Sequence, residues 1–198
     1  MSAFLGPIHY WLYSKIGYQE QLTADLARYA ESVGWIADAS EYICPLPALE
    51  SVIDDGNIHG WLQSRIAYAE SGYAELVCHL LADDGSRITA LCETAFAFGK
   101  RHALLSDSSA QTAYKEFENF FVNGMPCDRI NAVTKDEKDV VAWEQTQEIH
   151  AHFWTEHGGS GESFYALRRA VMDGMLAGTG LELICPDNIH YLLQIKQS

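Results

Sequence analysis

Four side chains of the kinds that bind metals or move protons stand at matched positions in two related segments: His9 and Glu20 in residues 6–20, His59 and Glu70 in residues 56–70. A neutral imidazole binds transition metals and titrates near neutral pH, and a carboxylate beside it can orient the ring or bind the same ion. The segments match at Gly6/Gly56, Ile8/Ile58, His9/His59, Trp11/Trp61, Leu12/Leu62, Ser14/Ser64, Ile16/Ile66, Tyr18/Tyr68 and Glu20/Glu70, with Lys15/Arg65 conservative and Ala24/Ala74 and Leu26/Leu76 extending the match. Identities that include His and Trp exceed what amphipathic patterning produces. They read as a duplicated helical unit, 6–30 and 56–80, packed about a pseudo-two-fold axis.

At ~100° per residue, His59, Leu62, Ile66, Glu70, Tyr73, Val77 and Leu80 form one stripe, and His9, Leu12, Ile16, Glu20, Ala27 and Ala30 form its counterpart. The ionisable residues therefore face the core, where an unpaired charge costs several kcal/mol and a partner is required. His and Glu on one helix are separated by a rise of about 16 Å, so their partners lie on other helices. Antiparallel packing of the repeats gives two His/Glu pairs, whereas parallel packing brings His9 to His59 and Glu20 to Glu70. Antiparallel packing is the expectation, and with it two core hydrogen-bonded pairs. The functional reading of the same residues is a site for a metal, or a small cofactor, held by His9, Glu20, His59 and Glu70.

Other groups complete the inventory. Trp11, Trp61, Trp143 and Trp154 are candidates to line a pocket for an apolar small molecule, which would make the chain a non-enzymatic sensor or interaction module. Glu75 with His79, and Glu148 with His152, have i, i+4 spacing but fall on polar helix faces. Five cysteines at wide spacing, without CxxC, read as free thiols. Cys44, Cys127 and Cys185 adjoin proline, where a thiolate could reach haem iron or an iron–sulfur cluster, but no cluster spacing accompanies them. Walker A, Gly-x-Gly-x-x-Gly, Gly-x-Ser-x-Gly, His-Glu-x-x-His and EF-hand patterns are absent from the sequence.

The elements that must position these groups are mostly helical. Pro7 opens a first helix that stops at Gly34, and Asn57 caps a second that ends at Asp83-Asp84-Gly85. Ser86 and Ser108 or Ser109 start two more. Thr134-Lys135-Asp136-Glu137 has the form of a capping box and predicts a fifth helix reaching Gly158, on which Trp143, His150, Trp154 and His157 share a face. A sixth runs from Gly161 to Ala177 with Phe164, Leu167, Val171 and Met175 on one side. Alternation in 180–197 predicts a β-hairpin that docks on the helices or pairs with another strand, in 125–134 or in a second copy of the chain. The result is one α+β domain over 1–198, a mostly helical bundle with a C-terminal hairpin.

A net charge of -14 repels phosphate backbones and anionic lipid, so neither nucleic acid nor a membrane surface is an expected partner. The N-terminal residues lack a basic region and an apolar run, and no stretch approaches the ~18 apolar residues of a spanning helix. A cytoplasmic protein, with a small-molecule ligand and a homodimeric assembly as its candidate associations, is the expectation.

Overall fold

A computed structural model describes residues 5–196 and is mostly helical, with an antiparallel sheet assembled from the C-terminal part of the chain. Met1–Phe4 and residue 197 of the expected hairpin lie outside the described residues. The order is α1 (Pro7–Ser32), α2 (Ile58–Asp83), α3 (Ile88–Arg101), α4 (Ala110–Phe120), β1 (Asn131–Glu137), β2 (Val140–Gln145), α5 (Ala151–Glu156), α6 (Gly161–Met175), β3 (Leu181–Ile184) and β4 (His190–Ile195).

Sequence signals at the ends of α1, α2 and α4 act as expected, but Ser86 does not cap α3: it lies in a 3-10 turn, Gly85–Arg87, where its N–H and hydroxyl donate to Asp84, which takes the capping role. Pro7 occupies the first turn of α1, and Gly34 takes φ 75° just beyond its end, a left-handed value that lets Trp35 N–H close on the Ala30 carbonyl at 2.8 Å. The Asn57 side chain accepts from Gly60 N–H at the start of α2, and the Ser109 side chain accepts from Thr112 N–H at the start of α4. Leu12, Ile16, Ala27 and Ala30 of α1 and Leu62, Tyr73, Val77 and Leu80 of α2 are buried, as the stripes require.

The direction of packing differs from the expectation. His9 lies against His59, with ring centroids 5.6 Å apart, Tyr13 against Trp61, and Glu20 reaches Arg65. Low numbers meet low numbers, so α1 and α2 run parallel. The reason is the connection between them. Each helix of 26 residues is about 39 Å long. The stretch 33–57 returns along the pair through a short 3-10 turn at Ala39–Tyr42, the Pro45 and Pro47 segment, and a second turn at Leu49–Ser51. Glu31 secures that return by accepting from Ala39 N–H at 3.1 Å.

The long fifth helix is replaced by a β-hairpin. β1 and β2 pair antiparallel over Asn131↔Gln145 to Glu137↔Val140, with an irregularity between Val133 and Lys135, and only Ala151–Glu156 is helical. Thr134, Lys135 and Glu137 are exposed strand residues, while Val141, Trp143 and Gln145 alternate inward on β2. The β-branched Val140-Val141 pair and this period of two overrule the capping-box pattern. Trp143 therefore stands on a strand, away from the face of His150 and Trp154.

The expected C-terminal hairpin forms as β3–β4, and β4 also pairs with β2 in the same chain, giving the order β1-β2-β4-β3. One sheet face, carrying Val141, Trp143, Tyr191, Leu193, Leu181 and Leu183, joins the main core. Trp143 stacks on Tyr191 at 5.0 Å there. In the connection, Asp187 accepts from the backbone N–H groups of Ile189 and His190 and from His190 Nδ1 at 2.7 Å. Backbone donation by His190, its side chain and the Ile189 N–H pull the Asp187 carboxyl down to about 2, and Asp187 in turn raises His190. The turn is therefore best held above the ordinary Asp range and below the ordinary His range, weakening as pH falls towards 2 or rises through the elevated His190 value. An NMR titration should give His190 a pKa above the ordinary 6.5 that returns to it in Asp187→Asn. An unshifted wild-type value would contradict this arrangement.

Candidate functional site

The four residues singled out in the two matched segments occupy three different places. His9 is buried at the first turn of α1, where its Nδ1 accepts from Gly6 N–H at 2.9 Å. That nitrogen is committed to capping the helix. His59, its neighbour, is exposed. Glu20 lies on another side of the helix pair, 3.5 Å from Arg65 Nη2, which also contacts Cys44 Sγ at 3.4 Å. Burial raises the Glu20 carboxyl while Arg65 pulls against it. Glu70 belongs to a third environment, and no contact joins it to Glu20.

That third environment is the most unusual part of the molecule. Glu70 on α2 is 2% exposed, and its Oε1 lies 3.3 Å from Nδ1 of His150, which is 1% exposed. Arg168 on α6 approaches from the other side, with Nη1 3.4 Å from His150 Nε2. A guanidinium can only donate, so His150 Nε2 accepts. The neutral ring then carries its proton on Nδ1, directed towards Glu70. Phe164 stacks on the imidazole at 4.0 Å, and the Arg168 guanidinium lies over the rings of Phe121 and Phe164.

Local chain structure fixes His150. It stands at the start of α5, where Glu148 caps the helix by accepting from the N–H groups of His150 and Ala151 at 3.0 and 2.8 Å. Burial would raise the Glu148 carboxyl, but those two backbone donors, with the Tyr165 hydroxyl, bring it below its ordinary value. Glu148 thus precedes the helix rather than pairing with His152 along it, and His152 is exposed beside Phe153. His157 at the other end of α5 is tied to Ser71 of α2 at 3.0 Å.

The relay of Glu70, His150 and Arg168 is short of partners. The Glu70–His150 approach is close in distance but poorly aligned, so both Glu70 oxygens and His150 Nδ1 lack a hydrogen bond, as do Arg168 Nε, Tyr73 Oη and Trp154 Nε1 close by. Burial, and after it the Glu70 charge, hold the Tyr73 phenol well above its ordinary range. Buried polar atoms are nearly always paired, and so many orphans in one cluster mark a place where further polar atoms belong. Above Glu70 and His150 opens a pocket of about 300 Å³ walled by Ile66, Ala67, Met125 and Phe153, with Asp128 and His152 also lining it.

Position 168 could have been found in the sequence, because it falls within the apolar stripe of Phe164, Leu167, Val171 and Met175 on α6. Tyr73 was in the α2 stripe but carried no polar role. The four tryptophans do not share a pocket. Trp154 is fully buried against Tyr73, Trp143 is in the sheet core, Trp61 packs on Tyr13, and Trp11 donates from Nε1 to Asn119. All five cysteines are free thiols.

Among the described residues no group of three or more His, Cys, Asp or Glu side chains is placed to hold a metal ion. None of the helices there is long and apolar enough to cross a membrane. No protein-family model matches the chain, and neither a curated protein nor a solved structure matches it.

Proposed function

We propose that this chain binds a small organic molecule in the pocket over Glu70 and His150, and that Glu70 is the group that fixes the ligand's orientation. The observation that carries the reading is the buried carboxylate with both oxygens unpartnered, beside a cavity of about 300 Å³ whose wall is mainly apolar, with Gln63, Asp128 and His152 as its other polar residues. Few, well-placed polar groups in an apolar concavity are the usual make-up of a ligand site. Because a carboxylate only accepts, the ligand presents N–H or O–H donors to it.

Binding is favoured over acid–base catalysis by the placement of Arg168. The one lone pair of the neutral His150 ring faces a guanidinium at 3.4 Å, so the imidazole is not free to take a proton from a ligand. The metal reading keeps only Glu70 of its four original residues, now with His150 as its neighbour, and supplies two donors where a tetrahedral site needs at least three from the protein. We further propose a reducing compartment such as the cytoplasm, which the free thiols support.

The test is mass spectrometry of small molecules released from protein purified from its native host, with elemental analysis of the same sample. Wild type should release one organic species in near-stoichiometric amount, and Glu70→Gln should lose it. Empty wild-type protein would end the proposal. A stoichiometric metal lost in Glu70→Gln would replace it with the ligation reading.

A further inference from the structure

Lys15 is the sequence counterpart of Arg65, but it has none of that residue's company. It is only 3% exposed, and no carboxylate oxygen of the described residues lies within ion-pair distance of its ammonium, which sits 4.1 Å over the Trp11 ring. Burial lowers the amine to about 8, with Glu118 opposing that shift and Arg168 adding to it. A buried cation without a counter-ion is costly.

Lys15 lines a small pocket of about 110 Å³ together with Trp11, Glu118, Asn123, Arg129 and Asn131. Two further features of its wall bear on what it would hold. The Asn123 amide has both its nitrogen and its oxygen buried without a partner. The one lining carboxylate, Glu118, accepts from the Asn131 amide at 2.6 Å and acts on Lys15 only from beyond ion-pair distance. Two cations against one engaged carboxylate leave the pocket electropositive in an otherwise acidic protein. Its volume is somewhat below the ~150 Å³ of a cavity that admits benzene.

We propose that this pocket is a binding site for a small carboxylate of about two to four carbons, held by the Lys15 ammonium and the Asn123 amide. The carboxylate supplies the acceptors that the ammonium and the amide N–H lack, and a hydroxyl or oxo substituent would meet the Asn123 oxygen or nitrogen. This site is separate from the Glu70 pocket and does not depend on it. The two lie on either side of Gly124 and Met125, which line both.

The experiment titrates the full chain with sodium acetate, propionate and hexanoate at constant ionic strength against chloride, following the melting temperature and the heat of binding. Acetate or propionate should stabilise wild type saturably while hexanoate does not. In Lys15→Met the affinity should fall by about tenfold or more, and in Asn123→Ala it should weaken. Without carboxylate, Lys15→Met should melt no lower than wild type, because it replaces an uncompensated buried charge with an apolar chain of similar length. Equal effects on wild type and Lys15→Met, or no saturable effect on wild type, overturn the proposal. So does a Lys15→Met protein that melts well below wild type, which would make Lys15 a structural cation held over Trp11.

Discussion

Gly174→Ala is expected to lower the stability of this protein by about 3 kcal/mol or more, a fall of roughly 6–12 °C in melting temperature for a chain of this size. α3 and α6 cross at Gly99 and Gly174 with almost no space between their backbones. A Cβ on Gly174 would lie 2.9 Å from both Gly99 Cα and Lys100 N and closer still to the Phe96 carbonyl oxygen. A Cβ on Gly99 would stand 3.1 Å from Gly174 Cα and overlap the Val171 carbonyl. Backbone atoms cannot rotate aside as a flexible side chain would, so the helices must separate and loosen Leu91, Ala95, Leu167 and Val171, all fully buried. Alanine gains about 1 kcal/mol over glycine in helix propensity, which offsets only part of the loss. Gly99→Ala should behave alike, and the double variant should lose less than the sum, because one separation relieves both overlaps. Chemical denaturation of the three variants checks this. A Gly174→Ala protein as stable as wild type would mean that the crossing is looser than described.

Glu70→Ala should cost about 1–3 kcal/mol, since it opens a void in the core and takes a negative charge from the neighbourhood of the buried Arg168. It removes the carboxylate that stands 3.3 Å from His150, the ring that separates Glu70 from the buried Arg168 guanidinium. The informative comparison is the double variant Glu70→Gln with Arg168→Met. It removes both buried charges and keeps most of the volume, so its stability should exceed what the two single losses predict. The coupling should be about 1–3 kcal/mol. Additive losses would show that Glu70 and Arg168 do not act through His150 as one unit. Measured on protein freed of bound small molecules, this series tests the relay independently of the pocket's occupant, whose binding would itself add to stability.

The parts of this architecture legible in the sequence are those where local chemistry and tertiary packing agree. Pro7, Gly34 and Asn57 bound α1 and α2, and the apolar spacing of those helices places Glu70 inside the core. The partner of Glu70 was not legible, since it depends on the parallel packing set by the return of residues 33–57. The sequence match of the two segments suggested reciprocal partners. Instead Glu20 meets Arg65, Glu70 meets His150, and Lys15 lies over Trp11. Residues 134–137 resemble a helix start because four polar residues on an exposed strand carry the same letters as a helix cap. The alternation of Val141, Trp143 and Gln145 was the stronger signal, and it shows that inward-facing residues constrain a segment more than outward-facing ones.

The place of β4 in the sheet sets an order on synthesis. It lies between β2 and β3 and is the last of the four strands in the chain, so its hydrogen bonds join two hairpins that otherwise have no contact as strands. A ribosome delivers the N-terminal elements first. The helices can therefore associate early, with Tyr114 of α4 against Trp143, while β2 waits with one edge unpaired and Trp143 lacks its second stacking partner, Tyr191, until β4 emerges. The nascent chain carries an open edge and an aromatic surface for as long as that takes, and this is the interval in which a chaperone or a wrong strand has access to it.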